Sequence, residues 1–242
     1  MDVADVDDLL TRLAKGLADL ADSGRPLPER LCQAAAALLE CDGGAITLAY
    51  TMVERVTLCA TDDTSLIIEE TQDVVGQGPG PDAFTTGAYA RFDLLDVDGP
   101  DPRWPLLESD SLTALAPLVV HALPMGEGGA RVIGVLTLHQ HGTDREIDLD
   151  AALVVSRVVA AALLADGPSM QEAGQGPWSE RAEVHQATGM VVAQLGVPET
   201  DALALLRAYA YSHEQSVATT AQAVITRTLA FSANPDQEIE ST

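Results

Sequence analysis

The sequence predicts an α+β chain, with an antiparallel sheet and its flanking helices first and an all-α three-helix bundle last. Three observations predict it. Side chains alternate by face over Ala45–Thr51 and Arg55–Thr61. Apolar residues recur instead at three- and four-residue steps through the last quarter, Glu183–Thr228. Between the two patterns lies Asp166–Trp178, rich in glycine, proline and polar residues. With 242 residues, 47% of them hydrophobic, the chain can fill two cores. We divide it into a sheet domain with an N-terminal helix at 1–166, a linker at 167–177, a helical domain at 178–231 and a tail of disordered composition at 232–242.

The first helix carries Leu9, Leu10, Leu13, Leu17 and Leu20 and should end near Ser23-Gly24. A second is expected from about Leu27 to Glu40, with Leu31, Leu38 and Leu39 facing inward. Gly43-Gly44 opens the sheet, and its first two strands form an antiparallel hairpin. Further strands are expected at Ala88–Phe92, Leu115–Leu123 and Ala130–Gln140, the last two joined through PMGEGG, before a closing helix at Leu149–Leu164. Gly78 and Gly80 either bring backbone N–H groups to a ligand or serve a turn stiffened by Pro79 and Pro81.

In the last quarter, Val184, Ala187, Val191 and Leu195 form one stripe, and Gly196 ends that helix. Pro198, Glu199 and Asp201 suit the start of a second helix striped by Ala202, Leu205, Leu206, Tyr209 and Ala210. Ser216 is the expected N-cap of a third, with Val217, Ala221, Val224, Ile225 and Leu229. Helices this short are not stable alone, so their stripes must close on one another. Ala187, Gly189, Ala202, Ala210 and Ala221 would permit close approach.

ATGM at 187–190, the following LG, LLR at 205–207 and the alanines of the third helix resemble an ANTAR domain over about Ser179–Phe231. The resemblance implies a bacterial RNA-binding module of the antitermination type. The chain departs from it at Thr188, where family members often carry lysine, and at Ala218, Thr219 and Thr220, where they often carry cations. Upstream, GQGPGPDAFTTG at 76–87, DPRWP at 101–105 and the closing hairpin at 116–140 resemble a GAF domain over about Leu27–Ala165. Together these imply a GAF-ANTAR regulator, responsive to a signal and controlling transcription termination by binding paired stem-loops in leader transcripts. The RNA-binding set expected from the resemblance and from side-chain chemistry is Gln186, Thr188, Gly189, Arg207, Tyr211, His213 and Thr219. Phe84, Tyr89 and Trp104 are the expected ligand-facing residues of the sheet domain, suited to a small uncharged or cationic molecule. Trp104 has the alternative of plugging the edge of the core.

Charge limits the partners. The net charge of −24 argues against indiscriminate nucleic-acid binding. Residues 1–177 hold 10 lysines and arginines against 29 acids, while 178–230 hold 3 against 5, so only the helical domain does not repel a polyanion strongly. Arg181, Arg207 and Arg227 are its fixed cations, and Arg207 has the alternative of pairing with Glu214.

The single lysine, Lys15, and the absence of a GxxxxGK[ST] loop exclude phosphate-loop and most Schiff-base enzymes. Cys32, Cys41 and Cys59 form no CxxC pair and read as buried thiols rather than the centre of a sulfoxide reductase. His139 and His141 share a strand face and either begin a metal site lacking a third ligand or end the strand in solvent. We therefore expect no enzyme, no metal and no cofactor. The acidic opening MDVADVDD and the absence of a long apolar run give a cytoplasmic expectation with no membrane partner. Apolar excess at Leu149–Leu163 gives a homodimer expectation, through the helices flanking the sheet domain, chiefly Leu9–Leu20 and Ala151–Leu164. The competing class is a GAF-like dimer whose C-terminal bundle docks a protein rather than RNA.

Overall fold

The structure is a computed structural model that describes residues 3–49, 55–94, 101–107, 109–126, 132–142, 146–166 and 177–232, with Val3 and 177–181 described as helix only. The linker expected at 167–177 and the tail expected at 232–242 fall almost wholly outside these residues.

Five strands, β1 (Gly43–Ala49), β2 (Arg55–Ala60), β3 (Ala90–Leu94), β4 (Leu118–Met125) and β5 (Gly134–His141), form one antiparallel sheet in the order β2-β1-β5-β4-β3. Both expected hairpins are present, and the ladder of the first shifts register between Ile46 and Thr47. The strands expected at Ala88–Phe92 and Leu115–Leu123 sit two or three residues further on. The inner strands β1, β4 and β5 are buried almost throughout, because both faces of the sheet are covered.

One face packs against α1 (Val3–Asp19), α2 (Leu27–Leu38) and α6 (Leu149–Ala165), where Leu31, Ile46, Leu123, Leu136, Leu138, Val155 and Val159 make the larger core. The other face carries α3 (Asp63–Val75), α4 (Pro79–Thr86) and the short α5 (Asp110–Thr113). There Ile68, Phe92, Leu94, Trp104, Leu107, Leu112, Leu118 and Val120 make a second core. Pro79 opens α4 rather than stiffening a turn, since a proline in the first helical turn forfeits no hydrogen bond. The Gly80 N–H donates to Gln72 Oε1 at 2.7 Å, so the acceptor it approaches is a side chain of α3.

The α3 face of the sheet is polar where it meets the helix. Thr47 donates to Glu69 Oε2 at 2.7 Å, and Gln72 donates to Glu69 Oε1 at 3.3 Å. Asp62 caps α3 by accepting from the Ser65 N–H at 2.7 Å, and its carboxylate lies 3.1 Å from His139 Nε2. A Cβ on Gly43 would run into that carboxylate, so glycine here makes room for the pair. His139 is therefore buried rather than a solvated strand end, while His141 is exposed beside it with ring centroids 5.6 Å apart. On the opposite face the buried His121 meets Tyr89 Oη at 2.7 Å and Gln140 Oε1 at 3.3 Å.

Burial lowers the pKa of His121 against its hydrogen bond with Gln140, and lowers that of His139 against the charge of Asp62. Burial pushes Asp62 upward, but the Ser65 N–H, the Thr61 hydroxyl and the charge of His139 outweigh it and hold the carboxyl below its usual value. Both histidines bind protons less readily folded than unfolded, so stability declines as pH falls below their ordinary value. The contribution of Asp62 disappears lower still, as pH falls through its depressed value. The denaturation midpoint should therefore drop as pH is lowered from about 7.5 to 5.5, with part of the slope removed by His121→Gln. A midpoint that is flat or rises on acidification over that window would contradict this.

Candidate nucleic-acid interface

The last three helices are α7 (Pro177–Leu195), α8 (Glu199–Ser212) and α9 (Val217–Ile225). Gly196, at φ 68°, ends α7 with its N–H donating to Val192 O at 2.8 Å. Pro198 is the N-cap of α8 rather than part of its first turn. Ser216 caps α9 by accepting from the Thr219 N–H at 3.1 Å. The core is Val184, Ala187, Val191, Ala202, Leu203, Leu206, Ala210, Val217, Ala221 and Val224. Leu203 takes the buried place expected of Leu205, which is only half-buried. Ala187, Ala202, Ala210 and Ala221 are fully buried and form the close seam.

Gly189 does not belong to that seam: it is exposed, and a Cβ there would meet nothing within 4 Å. Gly189→Ala should therefore raise stability, by up to about 1 kcal/mol from helix propensity alone. Ala221→Leu should lower it by roughly 1–3 kcal/mol through overpacking. Thermal melts followed by circular dichroism check both, and a destabilised Gly189→Ala variant would show that the position is packed after all.

Three of the seven residues expected to meet RNA lie open on the surface, the Thr219 hydroxyl sharing a hydrogen bond with that of Ser216 at 2.9 Å. Gln186 and Thr219 are exposed, as is the Gly189 backbone. His213 is exposed but stacked on Tyr209, with ring centroids 3.8 Å apart, and Phe231 meets the same tyrosine edge-on. Thr188 is turned inward, its hydroxyl donating to Val184 O at 2.7 Å, which removes it from the surface. Tyr211 is 50% exposed and lines a cleft of about 470 Å³ between α8 and α3, together with Ile67, Val74, Asp110 and Glu214.

Arg207 departs furthest from expectation. Its Nη2 lies 3.2 Å from Asp73 Oδ1 at the end of α3, in the sheet domain, and its side chain is only 18% exposed. The pairing considered with Glu214 is replaced by one 134 residues distant in sequence. Burial pulls the guanidinium below the usual arginine value, and the charge of Asp73 works against that. The second guanidinium on the same oxygen is that of Arg55, at 3.2 Å, which also donates to Gln72 O at 3.1 Å. Arg227, a fixed cation of the module left out of the expected RNA-binding set, is exposed, and its side chain has no hydrogen bond or ion pair among the described residues. Counting the cations of the helical domain was enough to find it, once Arg207 is known to be engaged elsewhere.

The expected ligand set of the sheet domain is not brought together. Trp104 is buried in the second core, its Nε1 donating to Asp82 Oδ2 at 3.1 Å, its ring edge-on to Phe92 and its face under Arg103. Phe84 packs on Ala83, Ala122 and Val135 on the same side of the sheet. Tyr89 packs on the larger core, across the sheet from Trp104. Among the described residues no group of three or more His, Cys, Asp or Glu side chains is placed to hold a metal ion. No described helix is long and apolar enough to cross a membrane.

A three-helix module docked on a two-faced α+β domain is the class of structure that these elements define. Residues 178–225 match the family model described as ANTAR domain, so the C-terminal helices are an ANTAR domain, which marks a regulator of antitermination that binds RNA. No curated protein matches the chain. Among solved structures it is similar to a domain described as part of a two-component sensor histidine kinase protein from Sinorhizobium meliloti 1021, at 18% identity and a TM-score of 0.42, over 61% of this chain and 95% of that one. It is also similar to the photosensory core module of the Stigmatella aurantiaca phytochrome, at 12% identity and a TM-score of 0.39, over 86% of this chain and 46% of that one. Both scores are too low for either likeness to bear on function.

Proposed function

We propose that the chain is a signal-responsive regulator whose ANTAR domain binds paired stem-loops in leader transcripts and so controls transcription termination, with the GAF-like domain at 1–166 as its sensor. The match of residues 178–225 to the ANTAR model carries this proposal. Gln186, Thr219, Arg227 and the Tyr209–His213 stack offer hydrogen bonds, one cation and an aromatic surface on one small module. Those suit loop bases splayed from the stack better than a long run of phosphates. The protein acts in the cytoplasm and without catalysis. Cys32 is a poor nucleophile, since it is buried and a hydrogen bond with Cys59, then burial itself, push the thiol well above its ordinary value.

The chain works as a homodimer, with the outer face of α6 covered by a second copy. Leu153, Val154 and Val158 are only half-buried there, and Leu164 is 67% exposed. One observation favours the competing function, a protein-docking bundle: Arg207 already serves a protein carboxylate. An anisotropy titration of the full chain against twin-hairpin leader RNA separates the two. Binding should occur with a shallow salt dependence, corresponding to roughly two or three phosphate contacts per module. No binding at low salt by a helical, folded protein would favour the protein-docking function.

A further inference from the structure

We propose that the ANTAR module is latched to the sensor at the C-terminal end of α3, where Asp73 occupies on Arg207 the place of an RNA phosphate, so that the docked arrangement is the RNA-off state. This rests on the RNA-binding function proposed above.

The latch is built from the needs of a helix end. The last turn of α3 contains no basic residue, although its free carbonyls and dipole favour a cation there. Two guanidinium groups arrive from outside. Arg55 comes from β2 in the same domain and Arg207 from α8 in the module, and both bond the same oxygen of Asp73. Gly76 ends α3 at φ 67°, and a Cβ there would stand 3.4 Å from Arg207 Nη1, so the guanidinium lies directly over the helix terminus. A carboxylate at the end of a cation-seeking helix presents to Arg207 the charge and hydrogen-bond geometry that a phosphate oxygen would.

The rest of the dock is packing of α7 against β2 and of α8 and α9 against α3. Val74 packs against the module core. Beside it, a cavity of about 120 Å³ remains between Thr57, Arg55 and Glu69 on the sensor and Val184 and Ser216–Ala218 on the module. The Nε atoms of Arg55 and Arg207 are buried without a partner, so docking desolvates donors that it does not fully satisfy. Such a contact holds the module without committing it. It is also placed to respond to the sensor, because Gln72, one residue before Asp73, bonds Glu69 on α3 and the Gly80 N–H at the start of α4. A change on that sheet face that shifts α3 moves the carboxylate from under Arg207.

The test uses the full chain as wild type, Asp73→Asn, Arg207→Gln, and Asp19→Asn as a control that removes one acid far from the latch. Affinity for twin-hairpin RNA and amide hydrogen exchange over 68–76 and 199–212 are measured on each. Asp73→Asn should lose the exchange protection of both segments and bind RNA more tightly by at least about five-fold, the lower end of ordinary coupling between sites. Arg207→Gln should lose the protection too but gain no affinity, and Asp19→Asn should match wild type in both. Unchanged protection in Asp73→Asn, or lost protection with no more RNA affinity than Asp19→Asn while wild type does bind, would overturn the latch. If no variant binds RNA yet Asp73→Asn and Arg207→Gln both open the dock, the RNA function falls and the latch stands as a switchable contact.

Discussion

The carboxyl end of α3 is the point on which the two halves of this molecule meet. A helix terminus leaves carbonyl groups unsatisfied and negative, and α3 has no cation of its own with which to answer them. Arg55 secures that end to the sheet edge through Gln72 O and Asp73, and Arg207 extends the same arrangement to the ANTAR module. Two guanidinium groups sharing one acid thus add a polar tie to the packing of the module on α3 and β2. A surface ion pair of this kind would contribute little, but this one is largely withdrawn from water on the arginine side, with the Arg55 side chain only 8% exposed.

The polar character of α3 also explains why the sequence did not disclose it. The side chains it buries include Ser65, Glu69, Thr71 and Gln72, so no apolar stripe marks a helix between Asp62 and Gly76. Glu69 and Gln72 are satisfied by Thr47, Gly80 and each other, contacts that exist only after the sheet has formed. The ANTAR helices were legible for the opposite reason. Their alanine seam, the Ser216 cap and the Gly196 stop act within a few residues of chain, and each appears in the structure where local chemistry placed it.

The candidate site was legible only in part. Gln186 and Thr219 are exposed as helix periodicity predicts, whereas one step of that periodicity turns Thr188 into the core. Arg207 has the spacing of a surface residue and would read so in any isolated helix; its partner lies 134 residues away, and no local pattern encodes that distance. In the sheet domain, Phe84, Tyr89 and Trp104 were grouped by chemistry, but the side chains of a strand and its flanks divide between two faces. Tyr89 consequently joins His121 on one face, while Trp104 joins Phe92 on the other.

A double-mutant cycle on Asp73 and Arg207, read by denaturant unfolding of the full chain, is the most direct test of whether this pair joins the halves. Asp73→Ala, Arg207→Ala and the double variant should give a coupling of roughly 0.5–2 kcal/mol, since the two groups are in contact and Asp73 remains partly solvated. Additive effects, with no coupling beyond error, would contradict the account and leave the module held by packing alone.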